Sequence, residues 1–494
     1  MTTNEIYDDL TPRNRSIATF ALLACAFLAM LDGTVIVTAL PKIVEQVEGD
    51  SSWFIWLITG YLLTSSVSVP IYGRFSDLYG RRSLLLIGLF IFVAGSLACA
   101  LADSMVFLIA ARTVQGLGAG ALLTLSMAAI RDLYPPGRST GMVRMQTVLA
   151  IMMIVGMVGG PLLGGLLTDH ASWRWTFLIN LPIGGTALVL LSAILPSGRT
   201  ARVTTGKLDA LGITVLTVSL SLLTIGLSIQ SDRTGSQQFG WTHPAVALPL
   251  LVGLVLLAAL VPVERRAQTP VLPLQLLRRR SYTALLTGGF FFQAASLPIS
   301  FMVPLYLHDV RHYSASSSGA LLLPLLIGMA VSSRLTATVI LKTGRTRPVL
   351  LVGACLLTAG AVGFLLLDDN TSPVLIGVWL TLAGLGTGPA MGGITIAAQN
   401  SVPPTDIGTA TAGSTLTKQI GGVFSLAIAQ TLLNQQDVAT GFTSAGVGGA
   451  IGWLGGTAGL LALVSMLVMR DVLVFVPGKS SPKAMALAES RAQD

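Results

Sequence analysis

The sequence predicts an all-α integral membrane protein with fourteen transmembrane helices. Three observations carry this. The chain of 494 residues is 52% hydrophobic and 11% charged. Soluble domains carry about 25% charged residues, so most of this surface cannot face water. Apolar runs recur from Ser16 almost to the C-terminus, and many reach the ~20 residues that cross a hydrocarbon core of ~30 Å. The runs lack both the charged stripes of soluble amphipathic helices and the alternation of barrel strands. Only helices satisfy the backbone across so many such stretches.

In chain order the spans read 16–40, 53–73, 84–102, 105–130, 142–168, 174–195, 209–230, 243–263, 283–308, 316–340, 347–367, 373–396, 408–433 and 448–476. The first follows Arg13 and Arg15 as a signal peptide would. It is too long for an h-region, holds Asp32 and is followed by thirteen similar runs, so it is helix 1. Even parity puts both termini on one side. With the N-terminus inside, 23 of the 30 lysines and arginines fall in cytoplasmic segments. Four (Lys42, Arg174, Arg233, Arg311) fall in outer loops, and three (Arg112, Arg334, Lys418) lie in spans. This asymmetry follows the positive-inside rule and predicts a multi-pass inner-membrane protein with both termini cytoplasmic.

The expected organisation begins with a cytoplasmic segment, 1–15, and a six-helix bundle, 16–195. A linker, 196–282, carries two extra helices; a second six-helix bundle, 283–476, and a polar, disordered cytoplasmic tail, 477–494, complete the chain. A weak internal echo links Gly73–Arg82 after helix 2 with Gly344–Arg347 after helix 10. Repeated halves around a central site are the pattern of secondary transporters.

Composition also excludes function classes. The net charge of +8 resides in short loops between apolar runs, so it reads as orientation and not as nucleic-acid binding. Cys25, Cys99 and Cys355 all lie in apolar segments and read as packing residues. No CxxC or HExxH spacing suggests a metal site, and no GxxxxGK[ST] loop supports direct ATP coupling. No nucleophile–base pair stands out, so no enzyme activity is expected.

Charges inside the spans carry the functional reading, because such groups are expensive and usually functional. Asp32 in helix 1 and Arg112 in helix 4 sit at matching depths, roughly 9–12 Å below the outer boundary at ~1.5 Å per residue. Equal depth permits an ion pair, either a static structural one or a proton carrier. Asp32 is the one carboxylate deep inside a span. Helix 5 carries Gly156, Gly159, Gly160, Pro161, Gly164 and Gly165; glycines four apart align on one face and admit a close neighbour, while Pro161 bends the helix. The loop after helix 2 holds Gly73, Asp77, Gly80, Arg81 and Arg82. Its glycines suit a tight turn, and Asp77 can pair with the arginines or with a facing helix N-terminus. Gln115, Gln146, Asn180, Gln293 and Gln399 are candidate cavity polar groups. Tyr61 and Phe290 to Phe292 are candidate aromatic walls. Each of these reads first as interhelical glue or lipid-facing bulk and second as a ligand contact. Arg334 lies where snorkelling is expected, and Lys418 lies deeper with no assigned role.

These motifs resemble those of the major facilitator superfamily. Gly73–Arg82 is similar to its G-x-L-x-D-x-x-G-R-R/K loop, and Arg112, Gln115 and Gly116 to its R-x-x-Q-G motif. Leu31–Pro41, the helix 5 pattern and Trp173–Gly184 resemble signatures of its fourteen-helix drug:proton antiporters. Val37 departs from the usual asparagine, which puts substrate contacts at that position in doubt. The resemblance implies two six-helix halves rocking in alternating access, with the helix 2 loop as a conformational switch and the helix 5 motif as a mark of antiport. It implies proton-coupled export of lipophilic, cationic drugs or toxic compounds, driven by the proton gradient with no cofactor. The expected partners are a small lipophilic substrate, protons and the bilayer, with no nucleic acid, in a monomer. Some relatives carry a second acid in helix 10; none is present here, which points to a substrate range that is narrower or mostly monovalent. Export of a lipid or endogenous antibiotic, and metabolite:proton uptake on the same fold, remain open at this stage.

Overall fold

A computed structural model describes residues 10–47, 53–133, 139–196, 209–231, 242–267, 274–402, 407–434 and 443–472. Among them run fourteen long helices: α1 (Pro12–Gln46), α2 (Trp53–Tyr79), α3 (Arg81–Ala100), α4 (Met105–Leu133), α5 (Ser139–His170), α6 (Asn180–Ile194), α7 (Ala210–Ser231), α8 (Pro244–Arg266), α9 (Arg280–Asp309), α10 (Ala315–Thr343), α11 (Arg347–Gly363), α12 (Pro373–Asn400), α13 (Ile407–Asn434) and α14 (Ser444–Val468). Single turns at Trp175–Leu178 and Leu274–Leu277 lead into α6 and α9. Among the described residues, ten helices are long and apolar enough to cross a membrane by length and composition. The tail expected to be disordered, 477–494, lies outside the described residues.

Local chemistry fixes several starts. Pro12, Pro244 and Pro373 open α1, α8 and α12, and the side chains of Thr11, His243 and Ser372 accept from Asn14, Ala245 and Leu375 backbone N–H. Proline has no N–H to lose there, and the caps satisfy donors that the helix leaves free. Several helices outrun their apolar spans, because backbone pairing continues past the membrane boundary as long as no breaker intervenes. Thus α2 continues through Gly73 to Tyr79.

The chain divides into two units. The first holds Met1–Leu208 together with Tyr313–Ala320, and the second holds Asp209–His312 and Leu321–Asp494. The first unit's core joins Leu22 and Leu28 of α1, Leu85, Leu89 and Phe92 of α3, Leu122 and Leu125 of α4, and Leu191 of α6. The two extra helices, α7 and α8, belong to the second unit. They pack on each other where Gly253 faces Leu223, and Ser219 donates to the Gly253 carbonyl at 3.1 Å; α7 also packs on α13.

Candidate functional site

Asp32 is wholly buried on α1, and Arg112 on α4 is 2% exposed. Arg112 donates one N–H to Asp32 Oδ2 at 2.7 Å and another to the Asp32 carbonyl at 3.1 Å. The second carboxylate oxygen, Oδ1, accepts from Gln115 Nε2 at 2.9 Å and from Asn180 Nδ2 at 2.8 Å. Gln115 lies three residues after Arg112, so both project from one face of α4. Its Oε1 accepts from Arg112 at 2.7 Å. Ser96 on α3 accepts from both amides, at 2.6 Å from Gln115 and 3.0 Å from Asn180. The Tyr61 ring lies 3.9 Å from the guanidinium carbon and the Phe177 ring 5.6 Å, so π-faces cover the cation. Four helices and one aromatic wall thus hold one carboxylate.

The network is not fully closed. Among the described residues, Arg112 Nε and Asn180 Oδ1 are buried with no hydrogen-bond partner. A buried polar atom left unpaired costs about 1–3 kcal/mol.

Helix α5 sets where Asp32 stands. A Cβ on Gly156 would meet Met30 Cβ and the Phe27 carbonyl at 3.1 Å, one on Gly160 would overlap the Thr34 hydroxyl, and one on Gly164 would overlap the Val35 carbonyl. Thr34 donates to the Gly156 carbonyl at 3.3 Å and Thr38 to the Pro161 carbonyl at 3.1 Å. These glycines seat α1 on its Thr34–Thr38 face. Asp32, two residues from Thr34 and so about 200° around the helix, turns towards α4. Gly165 looks elsewhere: a Cβ there would strike Ala315 and Ser316 at the start of α10. Beside it, Asp169 accepts from Ser316 N–H at 2.8 Å and Ala315 N–H at 3.3 Å, and pairs with Lys42 at 3.3 Å. Burial pushes the Asp169 carboxyl up, but hydrogen bonds from Ser316 and the Lys42 charge outweigh it and hold it at about 2.

The loop after α2 differs from the expected glycine-rich turn. Gly73 is inside the helix, and the chain turns at Gly80 alone, with φ 90°, a conformation that glycine adopts at no steric cost. The pairing expected of Asp77 lies outside the described residues. Arg81, 7% exposed, instead pairs with Asp132 at the end of α4 and donates to the Ala128 carbonyl at 2.7 Å; Arg82 donates to the Ser192 carbonyl. The loop is therefore tied to α4 and α6.

Three residues expected near a cavity, Tyr61, Gln115 and Asn180, belong to the Asp32 cluster, where the low dielectric demands polar partners. The side chain of Gln146 lies outside the described residues. In the second unit Phe292 is buried, Gln293 is half-buried, and Gln399 donates to Thr411 at 3.0 Å. Ser96 and Asp132 were missed by sequence reasoning. A serine in an apolar helix carries no signal, and Asp132 reads as a helix-end charge.

A family model described as Major Facilitator Superfamily matches residues 22–426. The chain is similar to the multidrug transporter protein MdtP of Bacillus subtilis (strain 168), 32% identical over 422 residues that cover 85% of this chain and 75% of that one. It is 31% identical over 426 residues to the efflux pump FUS6 of Gibberella moniliformis (strain M3125 / FGSC 7600), covering 84% and 73%. Its fold resembles that of a peptide transporter POT in complex with sulfate, with a TM-score of 0.70 at 15% identity, covering 95% and 98%. It also resembles the xylose transporter XylE from E. coli, with a TM-score of 0.60 at 13% identity, covering 95% and 100%.

Proposed function

This chain belongs to the major facilitator superfamily and is a multi-pass membrane transporter, not an enzyme; from that premise we propose that it exports small lipophilic compounds in exchange for protons. The carrying observation is the buried carboxylate of Asp32, held by Arg112, Gln115 and Asn180. Relatives named as a multidrug transporter and an efflux pump support the outward direction.

In this reading Asp32 is the proton carrier. Ionised, it receives a charge-assisted bond from Arg112 and two amide bonds. A proton on Oδ2 would displace the Arg112 N–H and turn an acceptor into a donor. The guanidinium then loses its counter-charge and needs a new partner. Proton uptake from outside thereby favours one arrangement of the cluster, and release to the cytoplasm restores the other. The glycine face of α5 lets α1 and its carboxylate move as one body against a smooth partner. Each proton supplies about 2.3 kcal/mol per 100 mV, enough for about fifty-fold electrical accumulation. We place the protein in the cell inner membrane with both termini in the cytoplasm, as the 23-to-4 distribution of basic residues favours.

Inverted membrane vesicles containing the protein test this reading. With an acid interior, they are expected to concentrate a lipophilic dye, and a protonophore should release it. Dye uptake that ignores the pH gradient, or that equals that of vesicles lacking the protein, would reject it.

A further inference from the structure

The two deeply placed cations of this chain are treated oppositely. Arg112 faces a carboxylate, whereas Lys418 faces none among the described residues. Lys418 stands on α13 about 16 Å from its start at Ile407, measured at ~1.5 Å per residue. Its stem lies against α9, with Cγ 3.1 Å from where a Cβ of Gly289 would stand, and its ammonium reaches α12. There it meets the Met391 carbonyl and the Thr395 hydroxyl, both at 3.4 Å. Among the described residues no carboxylate is within 4 Å of it. An ammonium carries three donors, and two long contacts to neutral oxygens leave one unspent and the charge uncompensated.

The surroundings are polar beyond that pair. Gln293, one turn along α9 from Gly289, packs on Gly422, one turn along α13 from Lys418. Gln399 and Thr411 bridge α12 and α13 on the other side. The interface of α9, α12 and α13 thus holds one ammonium that meets no carboxylate among the described residues, with amide and hydroxyl groups along it. Such a charge repels a cation and attracts an anion, and an unpaired intramembrane cation is stable only where it acquires a partner.

We propose that Lys418 receives the anionic group of the cargo, so that the transported class is lipophilic carboxylates and not the cations implied by resemblance. The proposal rests on the export reading and names its substrate class. Thr395 would share the carboxylate with Lys418, and the Gln293 amide would complete its hydrogen bonding.

Equilibrium binding to the purified full chain in phosphatidylcholine nanodiscs tests it separately from transport. The probes are fluorescein, a xanthene dye that carries a carboxylate, and rhodamine 123, a cationic dye of similar shape. The wild type is expected to prefer fluorescein by about tenfold or more, the scale of one charge-assisted bond. Lys418→Met should abolish that preference, and Lys418→Arg should retain it. Adding phosphatidylglycerol to the nanodisc should leave fluorescein affinity unchanged; competition by this lipid would assign the ammonium to a lipid phosphate and overturn the proposal. So would equal binding of the two dyes by the wild type, no fluorescein binding at all, or an unchanged preference in Lys418→Met. The wild-type preference decides even if Lys418→Met does not fold. If export fails in vesicles while this preference stands, the function is wrong and the site is right.

Discussion

Removing Arg112 should be harsher than removing either amide beside it. Arg112→Gln leaves the Asp32 carboxylate buried with no opposite charge, and breaking a buried pair in this way costs about 3–5 kcal/mol. Asn180→Leu removes one of two neutral bonds to Oδ1 and should cost about 1–3 kcal/mol. Thermal unfolding in detergent is expected to rank Arg112→Gln well below Asn180→Leu; equal melting temperatures would show that the pair contributes nothing beyond its packing. The pair itself was legible in the sequence, because a charge in a long apolar run has few explanations and matched depth supplies a partner. Its setting was not. Gln115 and Asn180 read as cavity polar groups, since nothing in spacing tells whether an amide faces a chamber or a buried carboxylate. Ser96, which joins them, had no signal at all.

At the scale of helices, close approach carries the argument. Gly160 meets Thr34 so closely that even one methyl group would overlap its hydroxyl. Gly160→Val should therefore push α1 off α5 and move Asp32, and transport is expected to fall at least tenfold while Gly159→Ala, which faces open space, stays near wild type. Dye uptake in vesicles compares the two directly, and similar losses would remove the α1–α5 contact from the account. The α5 pattern was readable because glycines four apart must share a face. That Gly165 looks to α10 was not, since it needs the position of a helix 150 residues further on. Asp169 extends this contact. Its carboxyl is held at about 2, below its ordinary 3.8. The stability it supplies is thus fully present above about pH 4 and is lost as pH falls towards 2. The melting-temperature gap between wild type and Asp169→Asn should be constant from pH 5 to 8 and close in acid; a gap that closes near neutrality would point to another group. The turn after α2 shows the converse limit. Gly73 and Gly80 look alike in sequence, yet only Gly80 takes a positive φ, because the helix runs on until a residue must leave it.

For the whole molecule, the sequence settles more than it does for any site. Composition, run length and motif spacing point to an all-helical membrane protein of the superfamily; the described residues hold fourteen long helices, ten of them long and apolar enough to cross a membrane, and the comparisons show the superfamily. Hydrophobic length acts locally, so it survives without knowledge of tertiary contacts. Which unit holds α7 and α8 follows from the packing of α7 on α13, and no periodicity reveals it. The first unit carries a buried ion pair, whereas Lys418 in the second meets no carboxylate among the described residues. On the proposed reading, variants at Asp32 should change proton coupling and variants at Lys418 the charge preference for cargo, each without the other.

On the proposed mechanism, the Asp32 carboxylate gives up its proton when cargo binds. Proton release from the purified protein in detergent, followed with a pH indicator as substrate is added, measures this directly. The wild type is expected to release protons in a saturable way that tracks binding, and Asp32→Asn to bind substrate with no release. Release from Asp32→Asn equal to that of the wild type would contradict the account.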